Sequence, residues 1–136
     1  MILLDTHIFI WLNLNPKKIP RTIAKAIDKE SSLCLAAISL WETAMLIERR
    51  RITLPIPSLR EWFQMALSAP NLHLLPLTPD VASRSEGLKM RGDPADRLIA
   101  ATALEHGHRL ATVDGNLIGL DWLPTIPEPV TPPPST

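Results

Sequence analysis

Ile2-Leu3-Leu4-Asp5 is a run of three apolar residues that ends on a carboxylate. Apolar residues without polar alternation read as a strand buried on both faces, the signature of a parallel sheet rather than of a half-solvated antiparallel one. The same figure recurs at Leu110-Ala111-Thr112-Val113, which runs into Asp114. In open parallel sheets, ligands bind beyond the carboxyl ends of the strands. Two strands that deliver an aspartate to that edge therefore suggest both the fold and the place of its chemistry.

Working outward, Leu33 to Ala36 is another buried strand. His73 to Leu77 is a third candidate, with Pro76 pointing to an edge position or a strand end. Ile23, Ala26 and Ile27 at helical spacing predict a helix over residues 22 to 30. Ser39-Leu40-Trp41-Glu42 matches a capping box and predicts a helix beginning at Ser39 and ending near Arg49-Arg50-Arg51. Leu59, Trp62, Phe63, Ala66 and Leu67 give a further amphipathic helix. Thr78-Pro79 and Asp93-Pro94 each read as a cap followed by a first-turn proline. The helix behind Asp93 should reach about His106, with Gly107 as its stop. A short fifth strand is expected around Trp122 to Ile126. Strands alternating with helices predict an α/β fold: a parallel sheet with helices on both faces.

Length and composition agree. The 136 residues fit one domain, and 46% hydrophobic content suffices for one core. The expected domain spans residues 1 to 123. Residues 124 to 136 hold six of the 14 prolines and read as a proline-rich tail. Cys34 is the sole cysteine, so one chain can build neither a disulfide nor a cysteine zinc site; it reads as a small buried hydrophobe. No signal-peptide pattern and no apolar run of membrane length is present, and a cytoplasmic location is the expectation.

Four carboxylates converge on the predicted rim. Asp5 and Asp114 end strands, and Glu42 and Asp96 lie in the first turns of helices that should start at the same edge. Asp93 is a fifth nearby. Crowded like charges repel unless a cation joins them, and an oxygen-only donor set suits Mg²⁺ or Mn²⁺. Zinc would favour His or Cys, and His106 and His108 flank a helix-stop glycine. Paired divalent ions can activate water in phosphodiester hydrolysis. Net charge is zero, with 14 basic and 14 acidic residues, which argues against binding nucleic acid by overall charge alone. Setting the five acids aside leaves nine acidic residues against 14 basic ones, a surplus able to attract phosphate.

Each acid also has a structural reading. Glu42 stands where a capping-box glutamate belongs, Asp96 could serve its own helix N-terminus, Asp93 reads as a cap, and Asp114-Gly115 as a turn. Asp5 resists such a reading, because no turn residue accompanies it. The arginine run 49–51 reads first as a solvated helix end and only second as an RNA contact, His7 as a packed or hydrogen-bonded residue at least as readily as a substrate-binding one, and Trp11, Trp41, Trp62 and Phe63 as packing or dimer contacts rather than base-stacking platforms.

With these residues in view, the chain resembles the PIN-domain ribonucleases and, within them, the VapC-like toxins of bacterial type II toxin–antitoxin pairs. The resemblance lies in Leu3-Leu4-Asp5-Thr6-His7, Ile38-Ser39-Leu40-Trp41-Glu42, Gly92-Asp93-Pro94-Ala95-Asp96-Arg97-Leu98-Ile99-Ala100-Ala101 and Ala111-Thr112-Val113-Asp114, in that order over roughly residues 1 to 123. It implies a three-layer α/β/α sandwich around about five parallel strands, Mg²⁺ or Mn²⁺ dependence and RNA cleavage. It also implies a homodimer and an antitoxin that blocks the site. By position, Asp5, Glu42 and Asp96 correspond to the family's three core acids, catalytic and metal-binding, and Asp114 to a more variable fourth. Thr6, Ser39 and Thr112 stand where hydroxyls lie near the metal, and Asp93 and Arg97 fall in the same motif as second-sphere or substrate residues. A stand-alone RNA-processing nuclease and a catalytically silent binding module are the rival readings. A small DNA-binding protein encoded immediately upstream would favour the toxin over the former, and divalent-metal binding would disfavour the latter.

Overall fold

The computed structural model describes residues 1–128. Its centre is a five-stranded, all-parallel sheet built from β1 (Ile2–Leu4), β2 (Leu33–Ala36), β3 (Leu72–Leu75), β4 (Arg109–Ala111) and β5 (Thr125–Ile126), in the order β3-β2-β1-β4-β5. The first strand lies in the middle, and the chain winds outward from it in both directions. Strand order therefore reverses between β1 and β4, which is the switch point where such sheets open a crevice. Pro76 follows β3, and β3 is an edge strand, as its proline suggested.

Alternation of side chains along the pleat feeds two cores. Ile2, Leu4, Leu33, Leu35 and Ala111 face a layer made by α1 (Thr6–Leu14), α2 (Arg21–Lys29) and α4 (Leu59–Ala66), with Phe9, Ile23 and Trp62 buried there. Phe9 and Trp62 meet edge to face at 5.8 Å. Leu3, Cys34, Ala36 and Leu110 face the opposite layer, where α6 (Pro94–His106) and α7 (Gly115–Ile118) contribute Ile99, Ala100, Ala103 and Leu117. The remaining helices, α3 (Ile38–Glu48) and α5 (Pro79–Glu86), pack respectively against α1 and α6, and against α6. Each fully buried Ile, Leu or Phe contributes about 1.5–3 kcal/mol. The three-layer α/β/α architecture is the expected one.

Three local expectations change. The sequence pattern predicts no helix directly behind Asp5, yet α1 starts at Thr6 with Asp5 as its N-cap. Ser39 is not a cap: α3 begins one residue earlier, Ala37 precedes it without a side-chain cap bond, and Ser39 is buried. The sheet also continues past the expected domain end at 123, because Thr125–Ile126 pairs with β4 through Leu110 and Ala111. The tail from 129 to 136 lies outside the described residues. Gly107 ends α6 in the left-handed conformation, with φ 67°, as a helix-stop glycine should.

Candidate metal centre

Asp5 leaves β1 at the centre of the switch point and starts α1, so its position is fixed from both sides. Its backbone N–H donates to the Ala111 carbonyl at 2.9 Å, carrying the β1–β4 ladder one step beyond the strands. The side chain is 7% exposed. One carboxylate oxygen accepts the Thr6 backbone N–H at 2.8 Å, and the other accepts the Thr112 hydroxyl at 2.6 Å. Burial raises its pKa; the Thr112 and Thr6 hydrogen bonds and His7 pull the other way, and Asp114 adds a smaller upward push. Thr112, itself fully buried, also accepts the Asp114 backbone N–H at 3.0 Å. One hydroxyl thus ties the two strand-end aspartates together.

Glu42 is 9% exposed and reaches in from the first half of α3. Its carboxylate is hydrogen-bonded to the Thr6 hydroxyl, which also lies 2.9 Å from Ser39 Oγ. Thr6 has a single hydroxyl proton. Given to an ionised carboxylate, that proton leaves Ser39 as donor to Thr6, forming a relay of two buried hydroxyls behind the acid. Burial again raises the Glu42 pKa, opposed by Thr6 and assisted by Asp5 and Asp93.

The exposed side of the site is held by backbone rather than by hydroxyls. Asp93 caps α6 by accepting the Asp96 N–H at 2.9 Å, and Asp114 caps α7 by accepting the Asn116 N–H at 2.9 Å. No side-chain donor reaches the Asp96 carboxylate among the described residues. Its pKa is pushed up to about 7, first by burial and then by Asp93, Asp5, Asp114 and Glu42 in turn. Gly92, at φ +152°, lets the chain pass close by, since a Cβ there would sit 3.3 Å from the Asp96 carboxylate.

The structural readings of the acids divide: Glu42 bonds a threonine on α1 instead of its own helix N-terminus, Asp96 does sit in the first turn of α6 behind its cap Asp93, and Asp5, which no turn residue marked, is the cap of α1. All of Asp5, Glu42, Asp93, Asp96 and Asp114 line one cavity of about 390 Å³ at the switch point. Oxygens of Glu42, Asp93 and Asp96 lie within 4.8 Å of one another. That separation and the all-carboxylate donor set fit a hard divalent cation, whose ligands stand at roughly 2.0–2.6 Å from the ion. Asp5 and Asp114 share the cavity without belonging to that trio. Asp93, read from sequence as a cap, is both cap and member. Of the hydroxyls that the resemblance put near a metal, Thr6 bonds Glu42, Thr112 bonds Asp5, and Ser39 lies behind Thr6.

Arg97 does not join the site. Its guanidinium donates to the carbonyls of Met90, Ser85 and Leu88 at 3.0, 3.1 and 3.0 Å, tying the α5–α6 connection together. His7 and Trp11 of α1 line the acid cavity and an adjoining groove of about 690 Å³, which Lys18, Arg49 and Arg51 also line. The spacing of His7, Trp11 and Leu14 was the available signal for that face of α1; Lys18 lies beyond the helix, in the 3-10 turn Pro16–Lys18. The arginine run divides, with Arg49 and Arg51 on this groove and Arg50, at φ 58°, beside Ile47 and Leu59 instead.

The fold and the site together define an α/β protein with a cluster of carboxylates at its topological switch point, three of them close enough together to hold one cation. The PIN domain matches residues 2–123, and the chain belongs to that family. It is 42% identical over 118 residues to Ribonuclease VapC22 of Mycobacterium tuberculosis (strain ATCC 25618 / H37Rv), covering 85% of this chain and 88% of that protein. Its fold is similar to a chain of VapBC2 from Rickettsia felis bound to a promoter DNA fragment, with TM-score 0.68, 17% identity and coverage of 92% and 97% of the two chains. It is also similar to a toxin–antitoxin complex from Klebsiella pneumoniae, with TM-score 0.65, 22% identity and coverage of 89% and 93%. Among the described residues no helix is long and apolar enough to cross a membrane.

Proposed function

We propose that this chain is a metal-dependent endoribonuclease that hydrolyses RNA phosphodiester bonds, and that it is the toxin of a toxin–antitoxin pair. One observation carries the reading: five carboxylates converge on a single cavity at the switch point of a chain 42% identical to a VapC ribonuclease. Asp5, Glu42, Asp96 and Asp114, the acids expected from the sequence, would hold the ion together with Asp93, whose oxygens lie within 4.8 Å of those of Glu42 and Asp96. Mg²⁺ or Mn²⁺ suits the donor set, since every donor is a hard oxygen. The bound ion supplies an activated water and neutralises charge on the leaving oxygen.

The chain's own residues do the positioning. Thr6, backed by Ser39, fixes Glu42, and Thr112 fixes Asp5, so two acids are aimed before any ligand arrives. Such preorganisation keeps ligands from adapting to a wrong geometry. The toxin role brings with it an antitoxin that covers the site, a homodimer and a cytoplasmic setting; the VapBC and toxin–antitoxin structures of like fold support the partner.

Purified protein with Mn²⁺ or Mg²⁺ should cleave RNA, and a chelator should stop it. Asp5→Asn should abolish cleavage while thermal melting stays cooperative. Full activity in that variant would end the reading.

A further inference from the structure

The core of this protein already has its aromatic pair in Phe9 and Trp62, buried and in edge contact. A second pair lies along α1: Trp11 packs in part against that core, and His7 stands one turn before it at the rim. His7 is exposed, Trp11 is half-buried, and their ring centroids are 5.9 Å apart. Both line the acid cavity and both line the larger groove, so they mark the passage between the two. On the groove side stand Lys18, Arg49 and Arg51, none of which is in an ion pair among the described residues. A rim aromatic next to unpaired cations is the combination that holds single-stranded nucleic acid: rings take bases, cations take phosphates.

We propose that Trp11, flanked by His7, is a stacking platform for the base beside the scissile phosphate, and that Lys18, Arg49 and Arg51 bind the phosphates of the strand leading away from it. The inference deepens the nuclease reading and rests on it. The two aromatics act as positioning residues, because they touch the nucleotide rather than the reacting atoms. A duplex would keep its bases stacked on one another and offer none to Trp11, so the substrate is an unpaired segment of RNA.

The test uses single-stranded oligoribonucleotides with 2-aminopurine at successive positions. Binding is followed in an Asp5→Asn background, where nothing is cut, and steady-state cleavage in the otherwise native chain. Binding of the Asp5→Asn protein should quench 2-aminopurine at one position, and Trp11→Leu should remove that quenching. In the active chain Trp11→Leu should raise KM about tenfold and change kcat much less, in line with the loss of one base stack. Trp11→Phe should restore most of both. Arg49→Ala with Arg51→Ala should lower affinity for all sequences alike and flatten the salt dependence by about two phosphate contacts. Trp11→Leu and Trp11→Phe that fold, bind and quench as the parent does would overturn the platform and leave the nuclease reading standing. A native chain that neither binds nor cleaves RNA would overturn both.

Discussion

The site has two halves built by different means. Asp5 and Glu42 are buried, and each is met by a threonine hydroxyl that is itself buried and backed by another part of the fold. Asp93 and Asp114 lie nearer solvent and cap helices, while no side-chain donor among the described residues reaches the Asp96 carboxylate, whose pKa is pushed up by burial and then by its acidic neighbours. The difference separates acids that the fold already supplies with donors from one that it does not. Hydroxyls let Asp5 and Glu42 be buried without a ligand, whereas Asp96 has no such donor.

The largest effect should come from the inner half. Asp5→Asn is expected to cut RNA cleavage by more than about 100-fold, beyond the range typical of groups that only orient a ligand. Turnover of a fluorogenic RNA at saturating metal measures it. Thr112→Val comes next. It removes the donor to Asp5 and strands the Asp114 N–H, so activity should fall about 10- to 100-fold and stability by about 1–3 kcal/mol. Thr112→Ser, which keeps the hydroxyl, should recover most of the activity. If Thr112→Val were as active as the parent, the hydroxyl tether would be irrelevant and the contrast between the halves would collapse.

The outer half should announce itself through pH. The Asp96 pKa in the folded protein, about 7, stands above its ordinary value of 3.8. Between those values the folded state binds more protons than the unfolded one, so stability falls as pH rises through that window and is lowest above it. In chelator, the melting temperature should therefore be lower near pH 8 than near pH 5, and Asp96→Asn should narrow the gap. Added Mn²⁺ should narrow it too. A pH-independent midpoint in calorimetric scans at both values would contradict the upward push that burial and the neighbouring acids give Asp96.

The smallest effect sharpens the double role of Asp93. Serine caps a helix about as well as aspartate, so Asp93→Ser should stay within about 0.5 kcal/mol of the parent, whereas Asp93→Ala should cost about 1 kcal/mol. Both should weaken Mn²⁺ binding in titration calorimetry. A serine variant with undiminished metal affinity would reduce Asp93 to a cap.

Much of this was legible in the chain itself. Ile2–Leu4 and Leu33–Ala36 declared buried strands by unbroken apolarity, and the Asp93-Pro94 and Gly107 signals bracketed α6 to within a residue. What escaped has physical causes. In α1, Thr6-His7-Ile8-Phe9-Ile10-Trp11-Leu12-Asn13-Leu14 is apolar nearly all round, so no polar stripe betrayed its helical period, and its β-branched isoleucines favour strand. With that helix unread, the shared face of His7 and Trp11 could not be drawn. Ser39 had the right identity for a cap, but Ile38 was already helical and the hydroxyl was needed by Thr6. The acids on the rim were readable because strand ends and helix starts are local signals. Which of them approach within one ion's reach depends on side-chain directions across four segments, which no local pattern encodes.

The bond between Thr112 and Asp5 spans 107 residues. It joins the end of β1 to the residue behind β4, on either side of the switch point. Without β4, β1 has a bare edge, Asp5 lacks its hydroxyl donor and the cavity lacks the wall that carries Asp114. Closing the site is therefore the same event as completing the middle of the sheet: one hydroxyl makes long-range order a condition of local chemistry.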